Sequence, residues 1–184
     1  MSRERVVHKI LFDNSGSMSE LGKEQLLINT LRFSRQYIEL NNIQEAVSYY
    51  QLSETIDEIK LENNKDIVIS IPSGRASEKV ISEWFISHDN IPVLWITDGY
   101  TCFSEEQIFN LCKNSNIIIV ALGCDADTGQ LKRFKSQMFF VHNLETALTQ
   151  FFMPKPEHSI LPTMIAESCT LDSFGIDESD DDEW

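Results

Sequence analysis

Asp13, Ser15 and Ser17 stand two apart in the string DNSGSM, directly after the apolar residues Ile10 to Phe12. A carboxylate and two hydroxyls at that spacing, in a tight turn, can aim three oxygens at one point, and Gly16 is expected to let the backbone curl around it. Two further strings carry oxygen donors at the ends of apolar stretches. One is TDG, with Asp98, after VLWI; the other is SGRAS, Ser73 to Ser77, ahead of a helical stretch. None of the three contains His or Cys. A donor set made only of hard oxygens suits Mg²⁺ or Mn²⁺ rather than zinc. Ligation by neutral hydroxyls, with carboxylates acting through waters, would leave much of the dication's charge uncancelled. Such an ion attracts one more carboxylate, most naturally from another protein.

Catalysis by the same residues lacks its parts. A haloacid-dehalogenase-type phosphatase places an Asp after its first strand but needs D-x-D, and Ser15 fills the second position, where it cannot serve as general acid or base. No G-x-S-x-G elbow or G-x-x-x-x-G-K-[ST] loop occurs. The histidines, at 8, 88, 142 and 158, are scattered. The expectation is a chain without catalytic residues and without an organic cofactor. A divergent metal-dependent phosphohydrolase is the enzymatic alternative.

The elements that must position these residues follow from the apolar pattern. Val6 to Phe12 is a short, mainly apolar run, and IPVLWITDG (up to Asp98) and NIIIVALG are apolar stretches of the kind that sit inside a sheet covered on both faces. Ile43 to Leu52 predicts a second strand, Thr55 to Leu61 a short antiparallel edge strand, and DIVISIPSG a further extended stretch. Met138 to Val141 predicts a last strand. Between them lie amphipathic helices over Glu20 to Asn41, Ser77 to Ser87, SEEQIFNLCK, Leu131 to Lys135, and from Asn143 through Phe151. Ser104 and Gln107 have the spacing of a capping box, and Asn143 is expected to cap the last helix. Alternating strands and helices define an α/β domain: a doubly wound, mostly parallel sheet with helices on both faces and one short antiparallel edge strand. In such sheets ligands bind beyond the carboxyl ends of the strands, where all three oxygen clusters fall. Asp125 and Asp127, in CDADTG, belong to the same end and read as a solvated loop.

Composition sets the remaining bounds. The chain has 184 residues and a net charge of −14, but every Lys and Arg lies at or before Lys155, while Glu157 to Trp184 holds nine acids and no base. The reading is therefore one domain over 1–152 and an acidic tail over 153–184, expected to be disordered, with an apolar patch at Ile160 to Ile165. The tail offers a second alternative for function, an interaction protein acting mainly through it. An acidic surface excludes a nucleic-acid groove, which needs clustered Lys and Arg. Cys102, Cys112, Cys124 and Cys169 show no zinc spacing and read as reduced thiols. No apolar run reaches membrane-spanning length, and the charged start MSRERVVHK lacks a signal-peptide pattern, so a cytoplasmic protein is expected.

The DNSGSM string followed much later by TDG resembles the metal-ion-dependent adhesion site of von Willebrand factor A (vWA) domains, over roughly residues 5 to 152. That resemblance implies Asp13, Ser15, Ser17 and Asp98 as metal ligands. It implies a middle ligand at Ser77, where the family has threonine, with Ser73 as the alternative. The chain is also similar to short bacterial intracellular vWA proteins of the TerY type. Those are encoded beside MoxR-like AAA ATPases, phosphatases, kinases, or components of stress and defence systems. The resemblance therefore implies a non-enzymatic adaptor that presents its metal to an acidic side chain of such a partner.

Overall fold

The computed structural model describes residues 7–60, 67–75, 77–101, 103–112, 116–134 and 136–153, with Glu45 described by its backbone only. The acidic tail beyond Met153, and with it Cys169, lies outside the described residues, as does Cys102. Cys112 and Cys124 are free thiols.

Six strands form one sheet: β1 (His8–Asp13), β2 (Val47–Leu52), β3 (Ile56–Ile59), β4 (Val93–Thr97), β5 (Ile117–Ala121) and β6 (Gln137–Phe140), in the order β3-β2-β1-β4-β5-β6. All pairings are parallel except β2 with β3, so the antiparallel edge strand expected over Thr55 to Leu61 is present over Ile56–Ile59. The chain starts at the centre, winds outward to β3, then returns to place β4 on the other side of β1. The reversal between β1 and β4 is the topological switch point, where a crevice opens beyond the strand ends.

Strand alternation divides the core into two layers. Ile10, Phe12, Leu94, Ile96 and Val120 point to one face and pack against α1 (Lys23–Leu40) and α5 (Leu144–Phe152). Leu11, Val93, Trp95, Ile119 and Ala121 point to the other, against α2 (Glu78–Ser87), α3 (Glu105–Leu111) and α4 (Thr128–Lys132). Because both faces are covered, β4 and β5 are buried at every position, which is why they read as unbroken apolar runs.

Several elements differ from the sequence expectation at their ends. The first helix starts only at Lys23, after the positive-φ residues Leu21 and Gly22, and a 3₁₀ turn over Gln44–Ala46 shortens the second strand; a further 3₁₀ turn spans Gly16–Ser19. The stretch 67–75 contributes no strand to the sheet, although Ile67 is buried in the core and Asn14 Nδ2 donates to Ser70 O and Oγ at 3.0 Å. The capping box of α3 forms as expected: Gln107 N donates to Ser104 Oγ at 3.2 Å and Ser104 N to Gln107 Oε1 at 2.9 Å. Asn143 occupies the N-cap of α5 but makes no side-chain cap bond there, because a 3₁₀ turn over Val141–Asn143 leads directly into the helix. The fourth helix begins earlier than its apolar residues suggest, since Asp127 caps it by accepting from Gln130 N at 2.9 Å.

Helix α1 carries Leu27, Leu31 and Ile38 along its buried stripe, and it is this packing that fixes the helix over the sheet. Leu31 is fully buried, so Leu31→Ala is expected to cost about 2–5 kcal/mol by loss of transfer energy and residual cavity. Urea unfolding of the variant against the parent checks this.

Candidate metal centre

Asp13 ends β1 and Asp98 follows β4, so the parallel pairing of those strands brings two carboxylates together although they lie far apart in sequence. Both are almost completely buried, at 1% and 0% exposure. Buried carboxylates persist only when their oxygens are partnered, and each has partners. Asp13 Oδ1 accepts from Ser15 N at 2.9 Å and Oδ2 from Thr97 Oγ1 at 2.8 Å. Asp98 Oδ1 accepts from Tyr100 N at 3.3 Å, and Oδ2 accepts from the Lys23 ammonium at 2.9 Å.

The turn after β1 brings the hydroxyls of Ser15 and Ser17 within 3.2 Å of each other. Two hydroxyl oxygens at that separation can face one small cation. The turn does not draw on the conformational freedom of Gly16, which has no positive φ and would give an added Cβ room at 3.4 Å from Gly74 O. Glycine is required instead at Gly99, after Asp98. There φ is +82°, and a Cβ would lie 2.9 Å from both Asp127 O and Leu131 Cγ. Gly99 thus lets the chain turn sharply beneath Asp98, while its N–H donates to Thr97 Oγ1 at 3.1 Å.

Asp13, Ser15, Ser17 and Asp98 line one cleft of about 400 Å³, together with Glu20, Arg75 and Tyr100. Ser77 does not join them. Its hydroxyl accepts from Val80 N at 3.3 Å and caps α2, the use to which a serine just ahead of a helix is most readily put. Ser73 is also absent from the lining; its N–H donates to Asn14 O at 3.1 Å. From this loop the cleft receives Gly74 and Arg75 instead. Asp125, read from the sequence as a solvated residue, lies 2.9 Å from the Lys23 ammonium. Thr97 and Lys23 were not expected at the site. Thr97 is hidden as the last residue of an apolar strand. Lys23 carries a signal, since it falls in phase with Leu27 and Leu31 on the buried stripe of α1.

Among the described residues, no three His, Cys, Asp or Glu side chains gather as metal ligands. A metal at this cleft would draw instead on two carboxylates and two hydroxyls. That set fits a hard dication that accepts water in its remaining positions.

No protein-family model matches the chain, and no curated protein sequence matches it. Solved structures do. The manganese-loaded TRAP protein of Plasmodium vivax superposes with a TM-score of 0.57 at 13% identity, over 80% of this chain and 73% of that one. Proximal thread matrix protein 1 from the mussel byssus matches with a TM-score of 0.55 at 12% identity, over 80% of this chain and 47% of that one. The pilus adhesin SpaC from Lactobacillus rhamnosus GG matches at 0.52 and 8% identity, over 82% and 31%. The chain thus spans less than half of the latter two. These likenesses establish a vWA-like α/β fold. Among the described residues, no helix is long and apolar enough to cross a membrane.

Burial raises the Asp13 carboxyl above its ordinary 3.8, against the lowering effect of its hydrogen bonds. In the folded chain without metal it therefore holds its proton to higher pH than in the unfolded chain. Its contribution to stability is greatest in acid and falls as pH rises from about 3.8 through the folded value. Asp13→Asn keeps an acceptor for Ser15 and removes the buried charge. In EDTA it is expected to melt above the parent at pH 7, with the gap narrowing toward pH 4. Thermal melts of both proteins across that range check the sign.

Proposed function

We propose that the cleft holds Mg²⁺ or Mn²⁺ through Asp13, Ser15, Ser17 and Asp98, and that the ion captures an acidic side chain of a partner protein. The observation that carries this reading is the 3.2 Å approach of the Ser15 and Ser17 hydroxyls beside two buried carboxylates in one cleft. The two hydroxyls are neutral and Asp98 is already paired with Lys23, so the ion stays short of negative charge and an incoming carboxylate completes it. Arg75 and Tyr100 line the same cleft and are suited to flank that carboxylate with a charge-assisted hydrogen bond and apolar contact.

The role is that of a non-enzymatic adaptor. Ser15 occupies the position where a dehalogenase-type phosphatase carries its second aspartate, and a hydroxyl there has no basicity to offer. A bacterial intracellular stress-response or defence setting, with a MoxR-like AAA ATPase, a phosphatase or a kinase as the acidic partner, is the context the sequence resemblance supports.

Mn²⁺ that binds only the folded chain would stabilise it by RT ln(1 + [L]/Kd), about 2.7 kcal/mol at one hundred times Kd. Ser15→Ala combined with Ser17→Ala is expected to weaken Mn²⁺ binding by at least about tenfold, since loss of supporting groups alone costs that much at metal sites. Calorimetric titration with Mn²⁺ measures it; unchanged affinity would remove the two serines from the site. Affinity capture from cell extract, in Mg²⁺ and then in EDTA, tests the adaptor role. A partner retained only in Mg²⁺ and lost with Asp13→Ala is expected. Metal-dependent phosphate release that is abolished in Asp13→Ala would favour the phosphohydrolase instead.

A further inference from the structure

Lys23 is 1% exposed, a position that a lysine takes only with firm compensation. Its ammonium lies 2.9 Å from Asp98 Oδ2 and 2.9 Å from Asp125 Oδ2, and 5.1 Å from the centre of the Tyr100 ring. Tyr100 closes the arrangement by donating from its hydroxyl to Asp125 O at 2.8 Å. The channel for the lysine stem is also built. Gly123 has φ +101°, and a Cβ there would lie 2.9 Å from Lys23 Cδ and 2.7 Å from Asp125 Oδ1. Three segments are pinned by one cation: the start of α1, the turn after β4 and the loop after β5.

One of these carboxylates is also one of the two that face the cleft. Asp98 presents Oδ2 to Lys23 and Oδ1 to the Tyr100 N–H, so a resident monovalent cation has already neutralised it. The other, Asp13, has no cationic partner among the described residues; its oxygens accept from Ser15 N and Thr97 Oγ1. An incoming dication therefore meets one unneutralised carboxylate and an ammonium that repels it, both in a region of low dielectric where charge acts strongly.

We propose that Lys23 is the positioning residue that sets how weakly the centre holds its metal, by standing as a fixed cation on Asp98. This rests on the metal reading above and deepens it. With Asp98 neutralised, the centre binds the dication loosely on its own and firmly only once a partner's carboxylate supplies the missing charge. Metal and partner then bind cooperatively, each raising the affinity of the other by the same factor.

The test is an electron-spin-resonance titration of the full chain with Mn²⁺, comparing wild type with Lys23→Met and Lys23→Arg. Methionine keeps the length of the stem and removes the charge, leaving Asp98 and Asp125 in need of a cation. Lys23→Met is expected to bind Mn²⁺ about tenfold more tightly or better, to melt lower than wild type in EDTA, and to gain more stability from Mn²⁺. Lys23→Arg is expected to bind as wild type does. Mn²⁺ binding by wild type with equal or weaker binding by folded Lys23→Met would overturn the proposal alone. No Mn²⁺ binding by either protein would overturn the metal reading and this inference with it. Should Lys23→Met be unfolded in EDTA, circular dichroism decides. Mn²⁺ must then restore its fold at concentrations that saturate wild type, and failure to do so overturns the proposal.

Discussion

A carboxylate with 1% of its surface exposed, Asp13, sits at the end of the central strand, and the top of the sheet is organised around making that burial tolerable. Moving an isolated charge out of water is costly enough that the group either finds partners or takes up a proton. Asp13 does both in part. Thr97 and the Ser15 backbone occupy one oxygen each, and burial still raises its proton affinity. A dication set against it would relieve the remaining cost.

The sheet makes this arrangement possible. Parallel pairing of β1 with β4 matches Phe12 to Ile96, so the next residues along, Asp13 and Thr97, come level and their side chains meet. The core supplies the rigidity, with one layer of apolar side chains against α1 and α5 and the other against α2, α3 and α4. A hydroxyl pair at 3.2 Å is useful for binding only if the turn that carries it is held. Here Gly16 N donates to Gly74 O at 2.9 Å and Asn14 N to Leu52 O at 2.7 Å, tying the turn to a neighbouring loop and to the end of β2.

Much of this was legible in the sequence because the signals were local. Unbroken apolar runs ending in Asp13 and Asp98 marked both the buried strands and the donors at their tips, and the capping box of Ser104 and Gln107 located α3. The resemblance implies Ser77 as a ligand, and in the structure its hydroxyl caps α2; a hydroxyl can cap a helix or face an ion, and spacing alone does not separate the two uses. The Lys23 bridge could not be read from neighbours, since its two partners lie 75 and 102 residues away along the chain. Only the phase of Lys23 with Leu27 and Leu31 hinted that it turns inward. Asp125 likewise looked like an ordinary loop acid until the fold brought it to the ammonium.

The most direct measurement is anomalous diffraction at the manganese absorption edge from crystals of the full chain grown with Mn²⁺. The expected result is an anomalous peak in the cleft, within bonding distance of the Ser15 and Ser17 hydroxyls and beside the Asp13 carboxylate. A peak elsewhere, or a cleft without one at concentrations where Mn²⁺ binding is saturated in solution, would contradict a metal centre at the β1–β4 switch point.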